Sequence, residues 1–271
     1  MSHFYSPLPD LEDVRRRRGE IFDRSARSVA GIDLNEAGQR ALLEKLQAFY
    51  AGQPFQANRA PGLRYHFENG FYSYSDALFL YGMLRHLRPR RYFEIGSGFT
   101  SALALDVNER FLEGGTRIVL VEPYPQRLRS LLLPGDEARM ELLEMPLQKV
   151  DPARFAELGE GDILLVDSSH VSKVGSDVNR IVFDILPLLA KGVYVHFHDI
   201  FYPFEYPEAW VMKGIAWNEA YLLRAFLQYN RAFEIVLFNT YLEQMHPDWF
   251  AARMPLCLKN PGGSLWLRKC A

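Results

Sequence analysis

The stretch Tyr92–Ser101, YFEIGSGFTS, decides the reading of this chain. A β-like run ends in an acidic residue, two glycines spaced one apart follow, and then comes a polar opening to a helix. Without a Cβ at Gly96 and Gly98 the backbone approaches a ligand closely, and the start of the helix offers unpaired amides. A strand, a tight turn and a helix in succession form half of a βαβ unit, so the residues on either side should alternate in the same way.

They do. Candidate strands are 91–96, 117–123, 140–145, 162–169, 192–199, 233–240 and 264–269, separated by helix-like segments at 100–112, 125–133, 151–158, 176–189 and 217–229. The strands are mostly continuous apolar runs, as expected where both faces of a parallel sheet are covered. The predicted fold is α/β: a doubly wound, Rossmann-like, seven-stranded and mostly parallel sheet whose last strand is antiparallel. Little helix is expected between the last two strands, apart from a short one at HPDWFAARM, so they read as a hairpin-like pair. Ahead of the sheet, residues 1–70 read as a helical N-terminal extension and 71–271 as the sheet domain. A helix from Ser75 to Leu87 feeds the first strand. GIDLNEAGQRALLEKLQAFY spaces Leu42, Leu46 and Phe49 near a helical repeat. The arginines at 15–18 are expected to pair with Glu12, Asp13 and Glu20 on a solvated face.

Composition narrows the class of function. In 271 residues, 31 Lys and Arg against 33 Asp and Glu give a net charge of −2, which argues against a nucleic-acid partner. No apolar run approaches the roughly 20 residues of a membrane helix. The N-terminus lacks the basic and apolar regions of a signal peptide, and Cys257 and Cys270 suggest no disulfide framework. A cytoplasmic chain is expected. Aromatic residues, 14% of the total, cluster in FENGFYSYSDALFLY and HFHDIFYPFEYPEAW, where they either wall a pocket or close a second core layer.

Ligands of such a sheet lie beyond the carboxyl ends of its strands. A dinucleotide loop would read G-x-G-x-x-G, and Ser101 stands at its last position. Glu94 would repel a pyrophosphate but suits an ammonium group. Glu122, at the end of the second strand, can accept both hydroxyls of a ribose, and Met145 and Leu147 can sandwich an adenine. Asp167 ends the fourth strand. With Tyr72 and Ser73 in reach of a carboxylate, the expected ligand is S-adenosylmethionine, held by Tyr72, Ser73, Glu94, Gly96, Ser97, Gly98, Glu122, Met145 and Asp167.

FEIGSGFTS, VEPYP, ILLVDSSH and VYVHFHDI, in that order on successive strand ends, resemble class I S-adenosylmethionine-dependent methyltransferases. The nearer resemblance is to the methyltransferase-24-type family, which includes metal-dependent sugar O-methyltransferases, and it spans about residues 70–270. Methyl transfer to a hydroxyl needs the nucleophile about 3 Å from the methyl group and an acceptor for its proton. Asp167 and Asp199 end adjacent strands, and two close carboxylates need a cation or a proton between them. The resemblance implies a divalent metal on Asp167 and Asp199; His198 stands where the family pattern has an oxygen ligand, and the expected set of Asp167, His198 and Asp199, with its nitrogen, favours Mn, Fe or Zn over Mg. His198 is then a ligand or the general base. His170 is a base or substrate contact, Asp199 acts at the acceptor, and His196, deeper in its strand, is a core histidine.

The expected activity is thus O-methylation of a small-molecule hydroxyl, with a homo-oligomer through the N-terminal helices compatible with the sequence. Glu205, Tyr206, Trp210 and Asn218 lie where an acceptor lid would sit. Alternatives are an NAD-dependent oxidoreductase, a metal-dependent oxygenase or hydrolase built on the His/Asp cluster, and a non-catalytic S-adenosylmethionine-binding protein.

Overall fold

In the computed structural model, which describes residues 5–271, all the strands join one seven-stranded sheet. The chain begins with two short helices, α1 (Leu11–Arg16) and α2 (Arg18–Ile21), and a long one, α3 (Glu36–Tyr50). Asp10 caps α1 by accepting the Glu12 amide at 2.9 Å. Arg16 and Arg17 pair with Asp13, and Arg17 also with Glu20, so that part of the arginine run is a solvated face; Arg18 reaches across to Glu208.

Helix α4 (Tyr74–Leu87) leads into β1 (Arg91–Ile95), α5 (Phe99–Phe111), β2 (Arg117–Val121), α6 (Gln126–Arg129), β3 (Met140–Leu143) and β4 (Ile163–Val166). There follow α7 (Asp177–Arg180), β5 (Tyr194–Phe197), α8 (Glu208–Met212), α9 (Glu219–Leu227), β6 (Phe233–Phe238), α10 (Asn239–Met245), α11 (Pro247–Arg253) and β7 (Leu265–Lys269). Every expected strand is present. The helix expected over 176–189 is broken after α7 into a wider turn, Ile181–Ile185, and a tight 3₁₀ turn at Leu186–Leu188. Pro187 lacks the amide needed to continue a helix there. The segment at 151–158 is also 3₁₀, over Pro152–Glu157.

The strand order is β3-β2-β1-β4-β5-β7-β6, with β7 antiparallel to both neighbours. The last two strands form the expected antiparallel pair, though not through a tight turn. α10 and α11 intervene, and β7 enters between β5 and β6, which leaves β6 at the edge. That edge is covered by the N-terminal residues. Asn35 donates to the Ile235 carbonyl at 2.9 Å, and Gln39, fully buried, accepts the Phe238 amide at 2.7 Å. Both groups occupy edge positions that would otherwise invite another chain. Val14, Leu43 and Leu46 share one buried cluster with the strands.

Register places the functional residues in a row. Ile95 pairs with Val121 on one side and Val166 on the other, and Val166 pairs with Phe197. The next residue of each strand therefore lies on one line at the carboxyl edge: Glu122, Gly96, Asp167 and His198. Their amides continue the ladder, Gly96 to Val121, Asp167 to Ile95 and His198 to Val166, each at 2.9 Å. The row is centred between β1 and β4, where the strand order reverses.

Candidate functional site

Gly96 must be glycine. Its φ is +84°, and a Cβ would stand 2.1 Å from the carbonyl oxygen of Asp167. This contact brings the loop after β1 against the loop after β4. Glu122 ties the same loop from the other side, accepting the Ser97 amide at 3.0 Å and the Tyr124 amide at 2.7 Å. The Ser97 hydroxyl is buried and has no hydrogen-bond partner among the described residues. A cavity of about 230 Å³ opens here, lined by Gly96, Glu122, Pro146, Leu147, Gln148 and Asp167 among others.

Four of the expected contacts lie elsewhere: Glu94 and Met145, and, at a hollow beyond the row, Tyr72 and Ser73. Glu94 is fully buried beneath the loop, where it accepts from the hydroxyls of Tyr92 at 2.8 Å, Ser101 at 2.8 Å and Thr100. It holds up the first turn of α5, whose Gly98 amide donates to Ser101. Hydropathy alone cannot tell a strand-end acid facing the cleft from one facing the core; the hydroxyls at 100 and 101 are the signal that separates them. Met145 packs half-buried against the core, and Pro146 and Gln148 take its place beside Leu147. Asp177 also lines this cavity; it binds the Ser169 amide at 2.8 Å and the Ser169 hydroxyl.

Burial pushes the Glu94 carboxyl up to about 8, against the pull of its three hydroxyl donors. An acid raised in the folded state stabilises the fold below its unfolded value, and that contribution is lost as pH rises toward 8. Glu94→Gln should therefore gain stability relative to the parent between about pH 5 and 8, by up to about 1.4 kcal/mol per pH unit. Urea unfolding of both chains at three pH values reads this directly, and parallel pH profiles would disprove it.

Beyond the row, a second hollow of about 350 Å³ is walled by Phe71, Phe201, Trp210 and Trp217, with Asp76, His198 and Asp199 at its polar end. Ser73 lines it too, its hydroxyl donating to the Phe67 carbonyl at 2.8 Å. Tyr72 is buried, its ring tilted on His198 at 4.9 Å and its hydroxyl 3.5 Å from His196, so it supports the histidines from beneath.

The charged groups converge between the two cavities. His170 Nε2 lies 3.3 Å from Asp167 and 3.7 Å from Asp199. His198 Nδ1 lies 3.3 Å and 3.7 Å from the same two oxygens, and its Nε2 faces Asp76 at 3.6 Å. Asp167, His170 and Asp199 each offer a ligand atom within 4.8 Å of the other two. The expected ligand set had His198, whose Nδ1 approaches the two acids as closely as His170 Nε2 does; His170 joins it there as a second candidate nitrogen ligand. His170 and Asp199 both sit in the left-handed region, φ +59° and +57°, a backbone cost that concentrates at functional sites.

Electrostatics follow from this crowding. Burial alone would lower the His170 imidazole, but Asp167 and Glu219 outweigh it and raise it to about 10. His198 is likewise raised well above its ordinary value, burial being overcome by Asp199 and Asp167. Burial would raise Asp167, yet His198 and His170 hold it far below the usual carboxylate range. Asp199 goes the other way, raised by burial in spite of the same histidines. The two imidazoliums thus supply the positive charge that paired acids require. His196 is the core histidine expected: burial, then His198, takes it down to about 3, and its Nε2 meets the Ser264 hydroxyl at 2.8 Å.

Sequence reasoning missed Asp76 and Glu219. Asp76 is buried in α4 and accepts from Ser264, the Gly263 amide at 3.0 Å and Asn239 at 3.2 Å. Glu219 opens α9 next to Asn218, a residue expected at the lid. Of the other lid candidates, Trp210 walls the second hollow. Glu205, Tyr206 and Asn218 line a separate cavity with N-terminal residues, and Trp217 borders both.

Among known proteins, the family described as a methyltransferase domain matches residues 93–200. A protein of Archaeoglobus fulgidus, described as uncharacterized, is 39% identical over 165 residues, 59% of this chain and 74% of that one. The S-adenosylhomocysteine-bound methyltransferase PaMTH1 of Podospora anserina superposes over 98% of this chain and 99% of its own, with a TM-score of 0.50. At 16% identity this is a likeness of fold. The O-methyltransferase TomG of Streptomyces achromogenes, solved with S-adenosylmethionine, covers 97% of each chain at 15% identity and a TM-score of 0.43. No helix among the described residues is long and apolar enough to cross a membrane.

Proposed function

The chain belongs to the class I S-adenosylmethionine-dependent methyltransferases, in the methyltransferase-24-type family, and from that premise we propose that it methylates a hydroxyl oxygen of a small molecule with a divalent cation at the acid–histidine cluster. The observation that carries this is the position of Asp167, which lines the cavity beside Glu122 and also belongs to the cluster at the polar end of the aromatic hollow.

The residues fit the cofactor. The buried Ser97 hydroxyl lacks a partner, and the loop lies open between Gly96 and Glu122. S-adenosylmethionine, when bound, supplies an electrophilic methyl group on a sulfonium. Glu122 would accept from the ribose, and Pro146 and Leu147 would flank the base. The aromatic wall, with Trp210 and Trp217, holds the acceptor and keeps water from the reacting atoms. The hydroxyl proton would leave to the cluster, where we assign His198 to receive it, its imidazole being neutral once a cation takes over the positive charge that the two acids require.

Asp167, His170 and Asp199 are the residues that would hold a cation, whose chemistry would be to balance the two acids and acidify the acceptor hydroxyl. Mixed oxygen and nitrogen donors suit Mn, Fe or Zn better than Mg.

Titration calorimetry with S-adenosylhomocysteine and, separately, with NAD tests the cofactor. Micromolar binding of the first alone is expected. Glu122→Ala should weaken it at least tenfold, through loss of hydrogen bonds to a charged group worth about 1.5–3 kcal/mol. Binding of NAD alone, or an unchanged affinity in the variant, would sink the assignment.

A further inference from the structure

Glu219 has no role in holding cofactor or acceptor, yet it is fully buried at the first position of α9. Burial of a carboxylate is costly unless a partner compensates it. Its only ion-pair partner among the described residues is His170, whose Nδ1 lies 2.8 Å from Oε2. The Ser168 hydroxyl lies 3.1 Å from both carboxylate oxygens. The same turn grips His170 a second time, because the amides of Asn218 and Glu219 donate to its carbonyl at 3.0 and 3.1 Å. The preceding Trp217 lays its ring 4.3 Å from the imidazole and walls the aromatic hollow. Backbone, ring face and ring edge of His170 are all fixed by one helix start, and they fix it in a left-handed conformation.

A carboxylate oxygen only accepts, so the proton on Nδ1 faces Glu219 and Nε2 is turned toward Asp167 and Asp199. We propose that Glu219 is a positioning residue that locks the His170 ring with Nδ1–H on its own carboxylate, so that Nε2 is presented to the Asp167–Asp199 pair as a metal ligand. The metal half of this rests on the reading under Proposed function; the ring orientation does not. Carboxylate support of a ligating histidine typically changes metal affinity 10- to 100-fold. His198 is built in the opposite sense, Nδ1 to the acids and Nε2 toward Asp76, so the two rings enter the cluster from opposite edges. Glu219 also makes the acceptor wall and the cluster one unit: a shift of Trp217 moves the start of α9 and, with it, the ring.

Two readouts on the full chain test this. In proton-detected spectra of chain carrying ¹⁵N-labelled histidine, with His170 assigned by its loss in His170→Gln, a slowly exchanging, downfield Nδ1 proton is expected. It should persist in Glu219→Gln, whose amide oxygen still accepts, and vanish in Glu219→Ala. In competition titrations of Zn²⁺ against a chromophoric chelator, affinity should fall about tenfold in Glu219→Gln and 10- to 100-fold in Glu219→Ala. S-adenosylhomocysteine affinity should stay within about threefold in both. An Nδ1 proton unchanged in Glu219→Ala would overturn the orientation. Zn²⁺ affinity equal in all three chains would overturn its purpose. Failure of the parent chain to bind Zn²⁺ would instead remove the metal reading, while the proton signal still decides whether Glu219 sets the ring.

Discussion

Asp199→Asn is expected to lower methyl transfer by two to three orders of magnitude, the usual worth of a group that handles the acceptor proton or its cation. Binding of S-adenosylhomocysteine should stay within about threefold. The geometry separates the two effects: Asp199 borders the aromatic hollow, whereas the cavity beside Glu122 is lined by Asp167 and not by Asp199. Asparagine is the right replacement because Asp199 has φ +57°, which Asn tolerates and Ala does not. An alanine there would mix backbone strain with loss of charge. The measurement is transfer of labelled methyl groups to a panel of small-molecule hydroxyls, with calorimetry on the same preparations. A parallel loss of cofactor affinity would place Asp199 in the cofactor site and remove it from the acceptor.

The strands were legible because burial on both faces writes them as apolar runs, and the row of residues that follows them was legible because parallel register aligns their ends. Gly96, Glu122, Asp167, His198 and Asp199 all come from that row or its next residue. What the sequence hid was direction. Glu94 is one residue short of its strand's end, and the pleat turns its carboxylate inward toward Thr100 and Ser101. Glu219 was hidden for another reason. It is brought to His170 across 49 residues by the fold of α9 against the loop after β4, a contact with no local spacing to mark it. The antiparallel pairing of β7 with β6 was legible, but not its entry between β6 and β5, since an antiparallel strand reads the same at the edge of a sheet and one place in.

Gly96→Ala should be the most damaging substitution in the loop, and Gly98→Ala its internal control. A Cβ on Gly96 would lie 2.1 Å from a backbone oxygen, that of Asp167, and would demand a left-handed φ as well. Neither β1 nor β4 can retreat, because Ile95 and Val166 are paired in the centre of the sheet. Overpacking and backbone strain together are expected to cost about 3 kcal/mol or more, lowering Tm by roughly 10 °C. The displaced Asp167 should carry away S-adenosylhomocysteine binding with it. At Gly98 the backbone (φ 165°, ψ −118°) also lies outside the regions that side chains favour, but an added Cβ would meet only the flexible Arg127 side chain, its Cδ at 3.2 Å. Its Tm should fall by about half as much or less, roughly 2–5 °C, the cost of backbone strain without the clash. Thermal unfolding of the two variants side by side measures the contrast, and equal losses would mean that the close approach of the β1 and β4 loops is not what demands glycine at 96.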